Sequence, residues 1–177
     1  KRQDPALLKQ HDLSSLRAVY LAGEPLDEPT AQWISQELGK PIIDNYWQTE
    51  SGWPILSAQP GVERTPTRYG SPSFPVYGFD ARIVDEGTGD DLGPNQKGVV
   101  AIMPPLPPGA MSTIWGDDER FVQTYFSSIP GRMMYSTFDW GRVDENGYWF
   151  ILGRTDDVIN VAGHRLGTRE IEESINN

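Results

Sequence analysis

The sequence predicts an α/β unit that is followed by a mainly β region built from short strands. A buried-strand pattern (16–22), an apolar helical stripe and a second strand pattern (40–46) succeed one another in the first 47 residues. Strand, helix and strand in this order are typical of a parallel crossover unit. From about residue 68, short strands alternate with glycine and proline clusters, which favours a small barrel or sandwich.

The helix of the α/β unit has sequence signals at both ends. Asp27 is its predicted N-cap, and Pro29 suits the first turn that follows. Gly39 is the predicted stop. The apolar stripe consists of Ala31, Ile34 and Leu38.

The β region contains four predicted strands. They are FDARIVD (79–85), KGVVAIM (97–103), RMMYSTFDW (132–140) and YWFILG (148–153). The last two form a predicted hairpin with Glu145-Asn146-Gly147 at its tip, and the final strand is expected to be buried on both faces. Beyond it, DVINV predicts a short strand, and Thr168 is a predicted cap for a closing helix.

Composition limits the partners of the chain. The 177 residues carry a net charge of −10, which argues against nucleic acid as a partner because phosphate backbones need clustered basic residues. No apolar run approaches the ~18 residues of a membrane span, so no membrane partner is expected. Cysteine is absent, which fits a reducing compartment. We expect a cytoplasmic protein, or a mitochondrial-matrix protein in a eukaryote.

The stretch DNYWQTES (44–51) follows the second predicted strand, and strand ends are where ligands bind in α/β sheets. An aromatic face stacks on a flat heterocycle, an amide or carboxylate reads an exocyclic amine, and hydroxyl and carboxylate oxygens suit Mg²⁺. The stretch could therefore hold a purine nucleotide and its metal ion. The alternative is an aromatic core corner with solvated polar neighbours, which this stretch alone slightly favours.

A second polar cluster lies at residues 138–167. Its carboxylates could accept from ribose hydroxyls, and its guanidinium groups could bind phosphate or ribose oxygens with a forked geometry. The alternative is turn chemistry with surface ion pairs, and we keep that interpretation for Asp144, Glu145 and Asp157. His164 alone would more often be structural than catalytic.

Five motifs in a fixed order carry a family resemblance. They are AGEPL (22–26), DNYWQTES (44–51), YGSPSFP (69–75), WGDDERFVQTYF (115–126) and the long run DWGRVDENGYWFILGRTDDVINVAGHRLGTREIEE (139–173). Together they resemble the acyl-adenylate-forming enzymes, and within them the short-chain acyl-CoA synthetases. The overall sequence is most similar to the propionate-activating members. The resemblance implies that a short-chain carboxylate, propionate before acetate, reacts with ATP and Mg²⁺ to give acyl-AMP, and that coenzyme A then receives the acyl group.

The resemblance also implies roles for individual residues. Asp139 would hold both ribose hydroxyls and Tyr46 would stack on the adenine. Thr49, Glu50 and Arg165 would be catalytic, with Thr49 at the α-phosphate, Glu50 on Mg²⁺ and Arg165 at a phosphate oxygen. The full set implied to bind ATP or AMP is Gly23, Glu24, Pro25, Asp44, Asn45, Tyr46, Trp47, Gln48, Thr49, Asp139, Arg154 and Arg165.

Further implied roles concern the acyl group, coenzyme A and a domain movement. Ala22 and Trp47 would line the acyl pocket, and Asp156 would be the hinge of a small C-terminal domain. Gly163 and His164 would lie near coenzyme A.

The fold implied by the resemblance has three parts. Residues 1–67 would be the distal part of an α/β subdomain, 68–154 a small distorted β-barrel, and 155–177 the hinge and the truncated start of an α+β domain. The family's phosphate loop and adenylation lysine are missing from residues 1–177, so we expect an inactive fragment. The sequence also departs from the family at Trp53, at Trp140 and at Phe138, where glycine is common.

Two alternative functions stay open at this point. An amino- or aryl-acid adenylation domain would share the motifs, although a bulky Trp47 favours a small acyl group. A non-catalytic carbohydrate-binding β module would explain six tryptophans and seven tyrosines, but not the ordered motifs.

Overall fold

The computed structural model describes residues 5–24, 26–161 and 164–167, whose strands form three sheets. The elements in chain order are β1 (Val19–Leu21), α1 (Glu28–Leu38), β2 (Ile42–Tyr46), β3 (Leu56–Ser57), β4 (Asp80–Val84), β5 (Gly98–Met103), α2 (Asp118–Phe126), β6 (Tyr135–Val143), β7 (Trp149–Arg154), β8 (Val158–Val161) and β9 (His164–Gly167). Short 3-10 helices span Pro5–Gln10 and Thr49–Ser51. The helix predicted to begin at Thr168 lies outside the described residues.

The first sheet has the order β1-β2-β3 and confirms the predicted crossover, because β1 and β2 are parallel and α1 connects them. The Asp27 side chain accepts from the Thr30 amide at 2.9 Å, and Gly39 ends α1 with a φ of 59°. The predicted burial of residues 16–22 is wrong, since Tyr20 is 56% exposed. The reason is position: β1 is the edge strand of this sheet in the described residues, so it has one strand neighbour.

The second sheet is an antiparallel meander with the order β4-β5-β6-β7, and it confirms all four predicted strands of the β region. Asp144 holds the β6–β7 hairpin tip by accepting from the Asn146 and Tyr148 amides, which confirms its turn role. Burial of the last predicted strand (148–153) on both faces is wrong, because only Tyr148 and Trp149 in it are buried. In the described residues β4 and β7 are the edges, so a closed barrel is not confirmed.

Helix α2 was not among the predicted elements. The Asp117 side chain caps it by accepting from the Arg120 amide at 3.0 Å. Phe121 and Phe126 pack against each other, and Phe126 also contacts Tyr135 of β6 at 5.9 Å between ring centroids. In the part of the chain that the structure describes, no helix has the length and apolarity needed to cross a bilayer.

The two larger sheets share one hydrophobic core and are joined by residues 71–76, which we call the strap. The strap bonds to the first sheet through Ser57 N–Phe74 O (2.9 Å) and Val76 N–Ile55 O (2.8 Å), and to β7 through Trp149 N–Ser73 O (3.0 Å). The shared core consists of Ile55, Leu56, Phe79, Ile83, Val100, Ile102, Tyr135 and Trp149. The strap therefore fixes the end of β2 beside the β6–β7 hairpin.

A bulge interrupts β6 where it leaves the core. Val99 pairs with Trp140 and Ala101 with Ser136, so three residues of β6 (137–139) lie opposite the single residue Val100. Thr137 repairs the ladder, because its hydroxyl donates to the Val100 carbonyl at 2.8 Å and accepts from the Asp139 amide at 3.2 Å. Bulges of this kind re-aim a side chain next to a site.

Candidate nucleotide site

A cleft of about 540 Å³ lies between the end of β2 and the β6–β7 hairpin. The β2 side supplies residues 44–48, and the hairpin side supplies Asp139 together with the end of β7. The two sides face each other because the strap ties the first sheet to the start of β7. The lining residues are Gly23, Glu24, Asp44, Asn45, Tyr46, Trp47, Gln48, Gly70, Pro72, Asp139, Ile151, Gly153, Arg154 and Asp157.

The cleft brings together nine of the residues that the sequence assigned to a nucleotide. These are Gly23, Glu24, Asp44, Asn45, Tyr46, Trp47, Gln48, Asp139 and Arg154. Ala22 and Thr49 are exposed and Glu50 is half-buried, and none of the three lines the cleft. Trp47 does line it and is 48% exposed.

Four other predicted residues remain, one at position 25 and three at positions 163–165. Pro25 and Gly163 lie outside the described residues. His164 and Arg165 are the first residues of β9, which pairs with β8. Their assigned roles stay predictions.

Asp139 is the centre of the cleft's polar network. It is 6% exposed, and its Oδ2 atom accepts from the Tyr46 hydroxyl at 2.5 Å and from Gln48 Nε2 at 2.8 Å. Burial raises the pKa of Asp139, while the hydrogen bond from Tyr46, the charge of Arg154 and the hydrogen bond from Gln48 oppose that rise. Tyr46 remains a donor, because burial first and the Asp139 charge second raise its pKa well above the ordinary tyrosine value.

Arg154 is the cation among the described residues that line the cleft, and it lies directly opposite Asp139 in the β6–β7 ladder. Its Nη1 atom is 4.0 Å from Asp139 Oδ1 and donates to the Thr137 carbonyl at 3.3 Å. The guanidinium also forks onto Asp156, with Nε–Oδ1 at 2.9 Å and Nη2–Oδ2 at 3.1 Å. This pairing raises the pKa of Arg154 and lowers the pKa of Asp156. The cation is thus shared between a buried and an exposed carboxylate.

Glu50 lies apart from the cleft lining, in the 3-10 helix that follows Gln48. Its Oε1 atom accepts from the Tyr125 hydroxyl of α2 at 3.1 Å. Among the described residues no three His, Cys, Asp or Glu side chains gather in a metal-binding group. A single carboxylate nevertheless suits Mg²⁺, which proteins hold through one or two carboxylates while substrate phosphates and water supply the rest.

The sequence pattern of the family described as AMP-binding enzyme matches residues 1–115. The chain belongs to the AMP-binding enzymes. This membership argues against the alternative of a carbohydrate-binding module.

Individual relatives agree with the family assignment. The chain is 61% identical over 175 residues to the propionate–CoA ligase of Salmonella typhimurium, a match that covers 99% of this chain and 28% of that protein. It is 42% identical over 179 residues to acetyl-coenzyme A synthetase 1 of Saccharomyces cerevisiae, covering 99% of this chain and 24% of that protein. The chain thus spans about a quarter of the length of these curated relatives.

A solved structure supports the fold. The anthranilate CoA ligase AuaEII, crystallised in complex with anthranoyl-AMP, superposes with a TM-score of 0.76 at 29% identity. The match covers 97% of this chain and 32% of that chain. The fold described above therefore has a counterpart in a solved CoA ligase.

Sequence reasoning missed part of the cleft of this AMP-binding enzyme. Gly70 and Pro72 lie in the motif YGSPSFP, which carried the resemblance but received no role. Asp157 is exposed, as its assignment to a surface turn implies, yet it also lines the cleft. The remaining missed residues are Ile151 and Gly153. The glycine and proline of that motif were the available signal for the first pair, whereas Ile151 had none.

Proposed function

We propose that this chain supplies the adenosine-binding surface of an AMP-forming ligase that joins a short-chain carboxylate to coenzyme A. Propionate is the favoured substrate and acetate the second. The observation that carries the proposal is the cleft itself, where residues 44–48 of one sheet face Asp139 and Arg154 of another. The 61% identity to a propionate–CoA ligase supports the choice of acid.

The chemistry of the cleft fits adenosine monophosphate. Its volume of about 540 Å³ lies within the usual range for small-molecule sites, roughly 300–1,000 Å³. A buried carboxylate suits a ribose diol, a guanidinium suits ribose or phosphate oxygens, and aromatic side chains with an amide suit a purine. Asp139, Arg154, Tyr46 and Asn45 supply these groups.

In the proposed reaction a carboxylate oxygen of the acid attacks the α-phosphorus of ATP. The bond from that phosphorus to the bridging oxygen breaks, and pyrophosphate leaves with the electron pair. The thiol sulfur of coenzyme A then attacks the acyl carbon, the carbon–oxygen bond to AMP breaks, and the thiol proton is released. This chain's residues contribute mainly by holding the adenosine half in place, since phosphoryl transfer depends chiefly on positioning.

The proposal includes three predictions from the sequence. Glu50 and Thr49 would face the phosphates, with Glu50 holding Mg²⁺, which would neutralise phosphate charge. Asp156 would be the hinge between a barrel part ending at residue 154 and a small domain beginning at residue 155, and the α/β part would end at residue 67. A cytoplasmic location is likewise part of the proposal.

Tryptophan fluorescence tests the adenosine site directly. Titrating the 177-residue chain with AMP should quench or shift the emission of Trp47, which lines the cleft. The change should vanish in Trp47→Phe and persist in Trp115→Phe, because Trp115 is 99% exposed and lies outside the cleft lining. A response to sugars and none to AMP would overturn the proposal.

A chimera tests the acid. Residues 1–177 replace the matching segment of the Salmonella typhimurium propionate–CoA ligase, and thioester formation is compared for propionate, acetate and anthranilate. Propionate should give the highest kcat/KM. Ala22→Val should shift the preference towards acetate, since one methylene in an apolar pocket is worth about 1–3 kcal/mol. An unchanged propionate-to-acetate ratio would remove Ala22 from the acyl pocket, and a preference for anthranilate would favour the aryl-acid alternative.

A further inference from the structure

A chain of hydrogen bonds leads from the buried core to the carboxylate of the cleft. The Tyr135 hydroxyl donates to Gln48 Oε1 at 3.1 Å, and Gln48 Nε2 donates to Asp139 Oδ2 at 2.8 Å. The same Nε2 atom donates to the Thr137 carbonyl at 2.6 Å. The side chain of Gln48, which follows β2, therefore bonds to three residues of β6.

The Gln48 amide has one allowed orientation. A carboxylate and a backbone carbonyl can only accept, so the nitrogen must face Asp139 and Thr137, and the oxygen must face Tyr135. Both amide hydrogens and the amide oxygen are then in use. Although Gln48 lines the cleft, its side chain is committed to Asp139 and is not a free donor for a nucleotide.

Gln48 and Tyr135, which form the first links of this series of hydrogen bonds, are both held in place by neighbouring groups. The Ser51 hydroxyl accepts from the backbone N–H of Gln48 at 3.1 Å, which fixes the Gln48 backbone. Tyr135 is 2% exposed, and its ring stacks on Tyr125 with centroids 5.3 Å apart and an interplanar angle of 5°. The direction in which Gln48 presents its nitrogen is thus set by packed groups behind it.

The two oxygens of Asp139 are used differently. Oδ2 accepts from both Tyr46 and Gln48, which occupies its two lone pairs. Oδ1 lies 4.0 Å from Arg154 Nη1, and no described residue donates a hydrogen bond to it. A ligand hydroxyl therefore meets one oxygen of the carboxylate that is committed and one that is available.

We propose that Gln48, held by Tyr135, is a positioning residue that fixes Asp139 so that Oδ1 receives the ribose hydroxyls. This inference rests on the proposed adenosine site. Gln48 acts through Asp139 and does not contact the nucleotide itself. The property it controls is recognition of the diol, not the depth or shape of the cleft.

The test compares AMP with dideoxy-AMP, which lacks both ribose hydroxyls, by calorimetry on the 177-residue chain. Gln48→Met keeps the side-chain length and removes the amide. It should weaken AMP binding about tenfold, the worth of one charge-assisted hydrogen bond, and leave dideoxy-AMP binding within about twofold. Equal losses for both nucleotides, or no loss for either, would overturn the inference.

A milder variant covers the case in which Gln48→Met does not fold. Tyr135→Phe keeps the stacked ring, removes only the hydroxyl that orients Gln48, and should show the same selective loss at about threefold, as for one neutral hydrogen bond. Tyr148→Phe is the matched control. The Tyr148 hydroxyl donates to the Pro66 carbonyl at 2.7 Å, and neither residue lines the cleft. This variant should leave both affinities unchanged, and a selective loss in this control would overturn the assignment.

A measurement without ligand separates this inference from the proposed function. Carbon NMR of the Asp139 carboxyl should show its pKa rising in Gln48→Met, because a donor that stabilises the ionised form is lost. An unchanged pKa would overturn the positioning role even if AMP binds. Failure of the unsubstituted chain to bind AMP would overturn the proposed function and this inference together.

Discussion

The two carboxylates that the proposed function assigns to the ligand lie in unlike surroundings. Asp139 sits in a strand bulge, is 6% exposed and has two donors on one oxygen. Glu50 sits in a three-residue 3-10 helix and is half-buried, and its carboxylate accepts a hydrogen bond from Tyr125. The Asp139 carboxylate is held by groups of a sheet, whereas the Glu50 carboxylate projects from a single helical turn.

The difference fits two kinds of ligand. Ribose hydroxyls have a fixed spacing, and a carboxylate that is oriented before binding loses little entropy when it receives them. A metal ion with phosphates changes its ligands during a reaction, so a carboxylate with fewer constraints can follow it. The contrast leads to four further predictions.

The largest effect should come from removing the fixed carboxylate. Asp139→Ala should weaken AMP binding to the 177-residue chain on the order of a hundredfold or more, because two charge-assisted hydrogen bonds of about 1.5–3 kcal/mol each are lost. Calorimetry measures the affinity, and circular dichroism checks the fold. A folded Asp139→Ala chain with near-normal affinity would place the ribose elsewhere.

Changing the other carboxylate should separate catalysis from binding. Glu50→Gln in the chimera should slow thioester formation about tenfold or more, since a charge that would hold Mg²⁺ is removed. AMP affinity without magnesium should stay within about twofold, because Glu50 does not line the cleft. If both quantities fell together, the two carboxylates would belong to one inseparable site and the contrast would fail.

The pH dependence of stability tests the burial of Asp139. Its folded-state pKa is raised, so its contribution to stability is fully present below the unfolded value of about 3.9 and is lost as the pH rises through the folded value. Asp139→Asn does not titrate there. Its Tm should therefore rise relative to that of the unsubstituted chain as the pH is raised from about 4 to 7.

Asp85 provides a control of opposite sign for this experiment. Hydrogen bonds from the Thr88 and Gly87 amides lower its pKa, so its stabilising contribution is present above the unfolded value and is lost as the pH falls through the folded one. Asp85→Asn should therefore lose Tm relative to the unsubstituted chain at neutral pH. The same sign of change in both variants would contradict the assignment of burial as the cause at Asp139.

The smallest effect should come from the backbone beside Asp139. Phe138 has a φ of 58°, which costs a residue with a side chain about 1–2 kcal/mol, and this explains why a glycine is suited to the position. Phe138→Gly relieves that strain but loses the ring contact with Tyr125 at 6.0 Å, so stability should change by no more than about 1 kcal/mol. Phe138→Ala keeps the strain and loses the ring. Urea denaturation should therefore rank Gly above Ala, the reverse of an ordinary strand position.

Local features of the fold were predictable from the sequence. The cap at Asp27, the stop at Gly39 and the turn at Gly147 depend on residues a few positions apart, and all three are present. The end of β2 and Asp139 were also predicted as site residues, because strand ends and polar clusters are visible in the sequence.

Features that depend on distant partners were not predictable. The two-residue strand β3 exists through its pairing with β2 and with the strap, and the bulge at residues 137–139 exists only relative to β5. Tyr135 holds a residue 87 positions away, and its sequence context gives no sign of that role. Burial failed at Tyr20 for the same reason, since it is set by neighbouring elements. Helix α2 is different, because its cap at Asp117 was readable in a motif that was used only for the resemblance.

The strap has a consequence for the local opening of the structure. Its hydrogen bonds run to Ile55 and Ser57 on one side and to Trp149 of β7 on the other, so moving the two sheets apart breaks some of these bonds. We therefore expect the amides of Ser57, Val76 and Trp149 to exchange their hydrogens as one cooperative unit. A single-residue insertion in the strap would turn alternate side chains to the opposite face. It would disrupt the hydrogen bonds on both sides of the strap at once. We therefore expect length variation in this chain to be better tolerated at exposed turns such as residues 60–62 than in these six residues.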